Sequence, residues 1–213
     1  RDDILDIGTA ALFHDIGKLS ISRRIIRKES KLTDEEFSRI KSHSVLGAEI
    51  LLKYTSTMGI LPVVVCFEHH LKYDLSGYPR LPFKHTPHTA SLIVAICDVY
   101  DALLARRSYK ASYAPMVIYD IMASDKGKGF EPQLLERFFQ FMGVWPIGTL
   151  VSLNDGRIAV VRQVNEDEIF LPVVEVIHPE KGETIDLRTT RKSVYIGQFL
   201  DPLHEGKPYI ALI

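Results

Sequence analysis

His14-Asp15, His43, His69-His70 and Asp98 are the residues of this chain whose types and spacing suit metal chemistry. Imidazole and carboxylate without thiolate fit Mn, Fe or Zn, and argue against an iron–sulfur or structural zinc site. Taken singly, each has a plainer reading. A His near a helix end is more often capped or solvated than ligating, and Asp98 with Asp101 reads as surface charge. The flanking sequence favours the metal. Phe13-His14-Asp15-Ile16 sets charge inside an apolar stretch, and Asp98 follows Ile93-Val94-Ala95-Ile96-Cys97. An unpaired carboxylate in such a setting is costly, and a cation offsets that cost. Asp98 and Asp101 share one face of a helix. His69 and His70, as helical neighbours, point about 100° apart, so they serve two metals, or one ligates while the other orients.

The chemistry follows from the donor set. Two or three cations held by bridging carboxylates bring the pKa of a bound water to about 7, polarise a phosphoryl oxygen and stabilise the leaving oxygen of an in-line displacement. Lys18, one turn past His14-Asp15, suits charge neutralisation in such a transition state. Its plainer reading is a cation complementing a helix C-terminus.

These residues need helices to carry them, and residues 1–142 are helical in pattern. Ile4, Leu5, Ile7, Ala11 and Leu12 mark an apolar face running into Phe13-His14-Asp15, with Gly17 as its stop. Thr33-Asp34-Glu35-Glu36 reads as a capping box opening one helix that carries Phe37, Ile40, Leu46, Ile50 and Leu51. Pro62 suits the first turn of a helix from Val63 to His70. Residues 71–88 form a long ordered loop, a kind that is often functional. Helices resume over Ser91–Leu104, Pro115–Met122 and Pro132–Met142. At Val144-Trp145-Pro146 the texture changes to β-branched runs, and Asp155-Gly156 between two of them signals a hairpin. The expected organisation is a helical domain over 1–143 and a small β-rich extension over 144–213.

Bulk properties are ordinary for a globular chain of 213 residues, with 46% hydrophobic and 25% charged residues. A net charge of −1 selects for neither polymeric nucleic acid nor a membrane surface. Cys66 and Cys97 each end an apolar run and read as buried thiols rather than a disulfide. With no signal peptide and no long apolar span, the expected compartment is the cytoplasm. Residue 1 falls within a helical pattern, so an N-terminal part is expected to be missing. Arg23-Arg24 with Arg27-Lys28 reads as a solvated face.

Several motifs, in order, resemble the HD-GYP family of HD-superfamily metal-dependent phosphohydrolases. His14-Asp15-Ile16-Gly17-Lys18 is similar to HD-x-G-K. His69-His70-Leu71-Lys72-Tyr73-Asp74-Leu75-Ser76-Gly77-Tyr78-Pro79 is similar to HHExxDGxGYP. Lys41-Ser42-His43, Asp98-Val99-Tyr100-Asp101-Ala102-Leu103, Arg107-Ser108-Tyr109-Lys110 and Gly129-Phe130-Glu131-Pro132 resemble further motifs of that family. The resemblance implies a mainly α fold, an HD-type helical bundle, here with a small C-terminal β-rich appendage. It implies hydrolysis of a cyclic dinucleotide, cyclic di-GMP foremost, at two or three divalent metal ions, Fe or Mn favoured and Zn or others admitted. Position by position, His14, Asp15, His43, His69, His70 and Asp98 would be ligands. Lys18, Tyr78, Arg107 and Lys110 would meet the substrate, and Asp74, Gly77, Pro79 and Asp101 would support. His85 and His88 receive no role. Such domains often follow a sensory or receiver domain, and a homodimer is compatible with a signalling role.

The chain departs from the motifs at Leu71, where the signature has Glu, at Leu75, where it has Gly, and at Ser108, where it has Pro. The competing reading is therefore a degenerate module that binds cyclic di-GMP or recruits a partner without efficient turnover. A third keeps the metals and changes the substrate to another nucleotide or phosphate ester. Gly77-Tyr78-Pro79 argues against it.

Overall fold

The computed structural model describes residues 2–105, 113–190 and 193–213. It is mainly α, with a small antiparallel sheet toward the C-terminus. Helices α1 (Asp2–Phe13), α2 (Arg23–Ile26), α3 (Asp34–Lys41), α4 (His43–Leu52), α5 (Thr55–Met58), α6 (Leu61–Glu68) and α7 (Thr89–Leu104) come first. They are followed by α8 (Pro115–Ser124) and α9 (Pro132–Met142). Strands β1 (Leu150–Leu153), β2 (Ile158–Gln163), β3 (Val173–His178), β4 (Thr184–Asp186) and β5 (Ile196–Phe199) follow, with a one-turn helix α10 (Leu187–Thr190) between the last two.

Two compact units result: residues 1–111 with 125–134, and residues 112–124 with 135–213. The change from helix to strand falls after Met142, close to 143/144. By compactness, however, α8 and most of α9 group with the strands.

In the first unit α6 is the central element. On one side Val65 packs with Ala10 of α1 and with Ala90 and Val94 of α7. On another, Val63 and Cys66 pack with Ala48 and Leu51 of α4, and with Phe13 and Ile16. Helices α1, α4, α6 and α7, which bear or adjoin His14, His43, His69 and Asp98, are thereby held against one another by shared apolar side chains. Full burial of a Val or Leu side chain such as Val65 or Leu51 contributes roughly 1.5–3 kcal/mol.

The local chain differs from expectation at four places. Helix α1 stops at Phe13 rather than at Gly17, and a 3-10 turn over Ile16–Ser20 follows. Gly17 is needed for proximity instead. A Cβ there would collide with the His43 carbonyl and the Gly47 backbone, so the His14-Asp15 turn can rest directly on α4. The capping box is present, with Thr33 Oγ1 accepting from Glu36 N–H and Glu36 Oε2 accepting from Thr33 N–H. The helix it opens ends at Lys41, and α4 starts afresh at His43. Helix α6 ends at Glu68, leaving His69 as its C-cap and His70 beyond it. Cys66 is buried and Cys97 exposed, both free thiols. Cys97 thus lies off the inward stripe of α7 that carries Val94, despite ending an apolar run.

In the second unit the strand order is β4-β3-β2-β1-β5, every pair antiparallel. Asp155-Gly156 does form the β1–β2 turn, with Leu150 opposite Val160. The sheet is apolar on both faces: Val151, Ala159, Val161 and Val174 with Trp145 on one, and Leu150, Ile158, Val160 and Ile177 on the other. Strands β4 and β5 carry weak apolar alternation and were not expected.

Candidate metal centre

Four of the expected ligands form one group. Asp15, His43, His69 and His70 each present a ligand atom within 4.8 Å of the others. His14 and Asp98 adjoin this group through Asp15. His14 Nε2 lies 3.4 Å from Asp15 Oδ2 and 3.6 Å from Asp98 Oδ1. The other oxygen of Asp15, Oδ1, lies 3.2 Å from His43 Nε2 and 3.9 Å from His69 Nε2. One carboxylate therefore faces two sets of donors.

The backbone sets the tautomers. His43 Nδ1 donates to the Ile40 carbonyl at 2.7 Å, and His69 Nδ1 to those of Cys66 at 2.9 Å and Val65 at 3.2 Å. His14 Nδ1 donates likewise to Ala11 O at 2.6 Å. A carbonyl only accepts, so each Nδ1 carries the proton and each Nε2 of a neutral ring is a bare lone pair. His43 Nε2 and His69 Nε2 nevertheless stand 3.2 Å apart. With both Nδ1 atoms donating, no proton remains for a neutral Nε2–Nε2 hydrogen bond. Two lone pairs held together in a buried place call for a cation. Among the described residues, His14 Nε2 and Asp15 Oδ1 are buried without a hydrogen-bond partner. The residues present fit a metal: oxygen and imidazole donors converge, and the far ring nitrogens of His14, His43 and His69 are fixed by carbonyls, as outer-shell partners commonly fix metal-ligating imidazoles.

Electrostatics split the cluster. Burial pushes His69 down to about 3 and His70 down to about 4, and also lowers His43. These rings are neutral donors at neutral pH. Burial opposes protonation of His14 too, but the Asp15 and Asp98 carboxylates outweigh it and push the ring up to about 10. Asp15 is held well below the usual carboxylate range: its burial is more than offset by His14 and Lys18. The carboxylate of Asp98 is lowered chiefly by His14. The carboxylate side of the cluster thus favours positive charge.

Lys18 Nζ pairs with Asp15 Oδ2. Tyr78 stacks beside His70, ring centroids 4.6 Å apart. Gly77 is required where it stands, since a Cβ would strike the His70 carbonyl, and its N–H donates to Leu71 O at 3.0 Å. Asp74 is exposed, accepting from Ser76 N–H at 2.9 Å in a turn. Asp101 is exposed, one turn beyond Asp98 on α7. Pro79 lines a small depression with Leu71 and Leu75. Arg107 and Lys110 lie outside the described residues. Leu71, at the position of the signature's acid, is 2% exposed and belongs to the core. Leu75, at the position of a signature glycine, has φ 64°, a left-handed conformation that glycine adopts freely.

Three further side chains, given no role by the resemblance, make contacts around these elements. Lys41 Nζ lies 4.5 Å from the Phe37 ring centroid and 5.8 Å from that of Tyr78. His88 caps α7, its Nδ1 accepting from Ala90 N–H at 3.1 Å. Glu68, immediately before the paired histidines, is buried and accepts from His85 Nε2 at 2.5 Å. The signal for Glu68 was available: an acid ending the apolar run Val63-Val64-Val65-Cys66-Phe67, the same flanking polarity that marks Asp98.

Several named proteins resemble this chain. A cyclic di-GMP phosphodiesterase of Pseudomonas aeruginosa is 36% identical over 183 residues, covering 84% of this chain and 43% of the relative. A cyclic di-GMP phosphodiesterase of Thermotoga maritima is 36% identical over 137 residues, 64% of this chain and 37% of the relative. A 3'3'-cGAMP-specific phosphodiesterase of Vibrio cholerae is 37% identical over 131 residues, 61% of this chain and 25% of the relative. The chain spans less than half the length of these curated relatives. The family model described as HD domain matches residues 2–134, well over half of the chain, and the protein belongs to that HD domain family.

Proposed function

We propose that this protein is a metal-dependent phosphodiesterase that hydrolyses a cyclic dinucleotide, cyclic di-GMP foremost. The observation that carries the reading is the pair of bare imidazole nitrogens, His43 Nε2 and His69 Nε2, 3.2 Å apart and facing Asp15. Relatives named for cyclic di-GMP and for 3'3'-cGAMP support the substrate class. His43, His69, His70 and one oxygen of Asp15 would hold one cation; His14, Asp98 and the other oxygen would hold a second. Two such positions agree with two or three metal ions, and the nitrogen–oxygen donor set suits Fe or Mn. Bound there, divalent ions supply a nucleophile from water near neutral pH and offset charge on phosphoryl oxygens.

The chain's own residues then divide the work. Asp15 and Asp98 keep negative charge at the centre, and the carbonyl-held imidazoles keep their donor atoms aimed. Lys18 exchanges its hold on Asp15 for a phosphate of the substrate, and Tyr78 offers a ring face for a base. Arg107 and Lys110 complete the phosphate contacts in this reading, and Asp74, Gly77, Pro79 and Asp101 support the loop and helix around them. The same reading places the protein in the cytoplasm, downstream of a sensory or receiver domain, with a homodimer as its assembly and no role for polymeric nucleic acid. Among the described residues no helix is long and apolar enough to cross a membrane.

A second reading, a binding module with little turnover, draws on Leu71 and Leu75. One experiment separates the two. The Mn2+- or Fe2+-loaded protein, given cyclic di-GMP, is expected to release the linear dinucleotide or GMP. Metal-loaded protein that binds cyclic di-GMP and releases no product sinks the enzyme reading and leaves the module.

A further inference from the structure

Among the described residues, Glu68 is the one buried carboxylate next to the paired histidines that has no part in the proposed metal binding. It ends α6, directly before His69 and His70, and is 6% exposed. Its Oε1 accepts from His85 Nε2 at 2.5 Å. Its Oε2 accepts from the His88 backbone N–H at 2.8 Å and from Ser91 Oγ at 2.7 Å. The three donors come from the far end of the loop that carries Tyr78, from the N-cap of α7 and from its first turn. A single carboxylate therefore binds the end of one ligand-bearing element to the start of another. Ser91 and Asp98 lie on one face of α7, about two turns apart. Asp98 Oδ1 reaches to 3.6 Å from His14 Nε2.

We propose that Glu68 is a positioning residue for the metal centre, setting how α7 docks on α6 and so where Asp98 and Tyr78 stand relative to His14, His69 and His70. The inference rests on the metal reading of the cluster. Its physical basis is the multiplicity of the contact. A buried carboxylate with three donors is strongly held, because each charge-assisted bond replaces hydration that burial removed. Loss of the acid leaves the His88 N–H and Ser91 hydroxyl without their acceptor. It also frees the start of α7 to shift, and a metal site tolerates little displacement of a ligand before affinity falls.

The test uses Mn2+ alone as the probe, titrated into the metal-stripped full chain at neutral pH, with thermal unfolding of the metal-free form measured in parallel. Glu68→Ala is expected to weaken Mn2+ binding by about 10-fold, the lower end of the range for groups that hydrogen-bond a metal ligand directly, because Glu68 acts through the docking of α7. Glu68→Gln, which keeps an acceptor oxygen for Ser91 and His88, is expected to recover most of that loss. Val174→Ala, in the β-sheet core, serves as the control: it lowers the unfolding temperature and leaves Mn2+ affinity unchanged. Should Glu68→Ala fail to fold, Ser91→Ala carries the test, with a weakening of at least threefold expected. Wild type that binds Mn2+ while the folded Glu68→Ala (or, in its place, Ser91→Ala) binds within twofold of it overturns the positioning role and leaves the metal reading standing. Wild type that takes up no Mn2+ overturns both.

Discussion

The two sides of Asp15 are built differently. On one side His43 and His69 are almost wholly buried, their Nδ1 atoms held by carbonyls of α3 and α6, and burial keeps His69 and His70 neutral far into acid. On the other side His14, Asp15 and Asp98 retain 21, 32 and 29% side-chain exposure, and Lys18 reaches in from solvent. The buried side is a rigid set of neutral donors. The open side holds the charges and is the more exposed to solvent. A hydrolytic site needs both: fixed ligands that require no reorganisation, and an open position where charge develops.

The largest effect should come from the residue the two sides share. Asp15→Ala, alone or with His14→Ala, is expected to abolish metal binding and phosphodiesterase activity together, measured by metal content and product release. Activity surviving that change would break the account of the site.

Asp98→Ala should separate the sides. Metal should be lost from the open side and kept on the His43–His69 side, with turnover falling by more than about 100-fold, beyond the range of partners that only support a ligand. Equal loss on both sides in a metal titration would mean the two positions are not distinct.

Acidity gives an intermediate test. His69 and His70 have folded-state values near 3 and 4, below the unfolded 6.5, so the unfolded chain takes up protons first as pH falls. In metal-free protein their effect on stability is nil above about 6.5 and grows as a loss between 6.5 and 3. His14 works in the opposite sense. Raised to about 10, it stabilises fully below 6.5 and that stabilisation disappears between 6.5 and 10. The unfolding temperature of the metal-free form should therefore fall on both sides of a maximum near neutrality, by a few degrees per kcal/mol lost. His14→Ala should remove the alkaline limb and leave the acid one.

The smallest effect concerns the loop. Leu75 at φ 64° sits where a side chain costs about 1–2 kcal/mol, and glycine's extra unfolded-state freedom offsets about 0.5–1 of it. Leu75→Gly is expected to stabilise the protein by roughly 0.5–1 kcal/mol in urea unfolding, with metal affinity unchanged.

The open side was the more legible in the sequence, because His14-Asp15 and Asp98 stand out as charges within apolar runs. The histidines of the buried side were identifiable by type, but their arrangement was not. His69 and His70 were expected on a helix, whereas α6 ends at Glu68, two residues short of the expected end, and a turn presents them. The break at Ser42 that starts α4 at His43 left no mark, since Ser42 keeps helical dihedrals, φ −67° and ψ −11°. Glu68 and its donors are far apart in sequence, and only tertiary packing reveals that His85 and Ser91 share one acid. Cys97 was expected in the core because apolar neighbours imply burial, but a helix turns each residue to a different face. The β1–β2 hairpin was legible from Asp155-Gly156. Strands β4 and β5 were not, for their pairing depends on neighbours rather than on local alternation.

The most direct test of the shared-carboxylate account is a crystal of the full chain soaked in Mn2+, with anomalous difference density recorded at the manganese edge. The account predicts two peaks, one bonded to Asp15 Oδ1 with His43 and His69 Nε2, the other to Asp15 Oδ2 with His14 Nε2 and Asp98. Density absent from both positions, or present only away from Asp15, would contradict it.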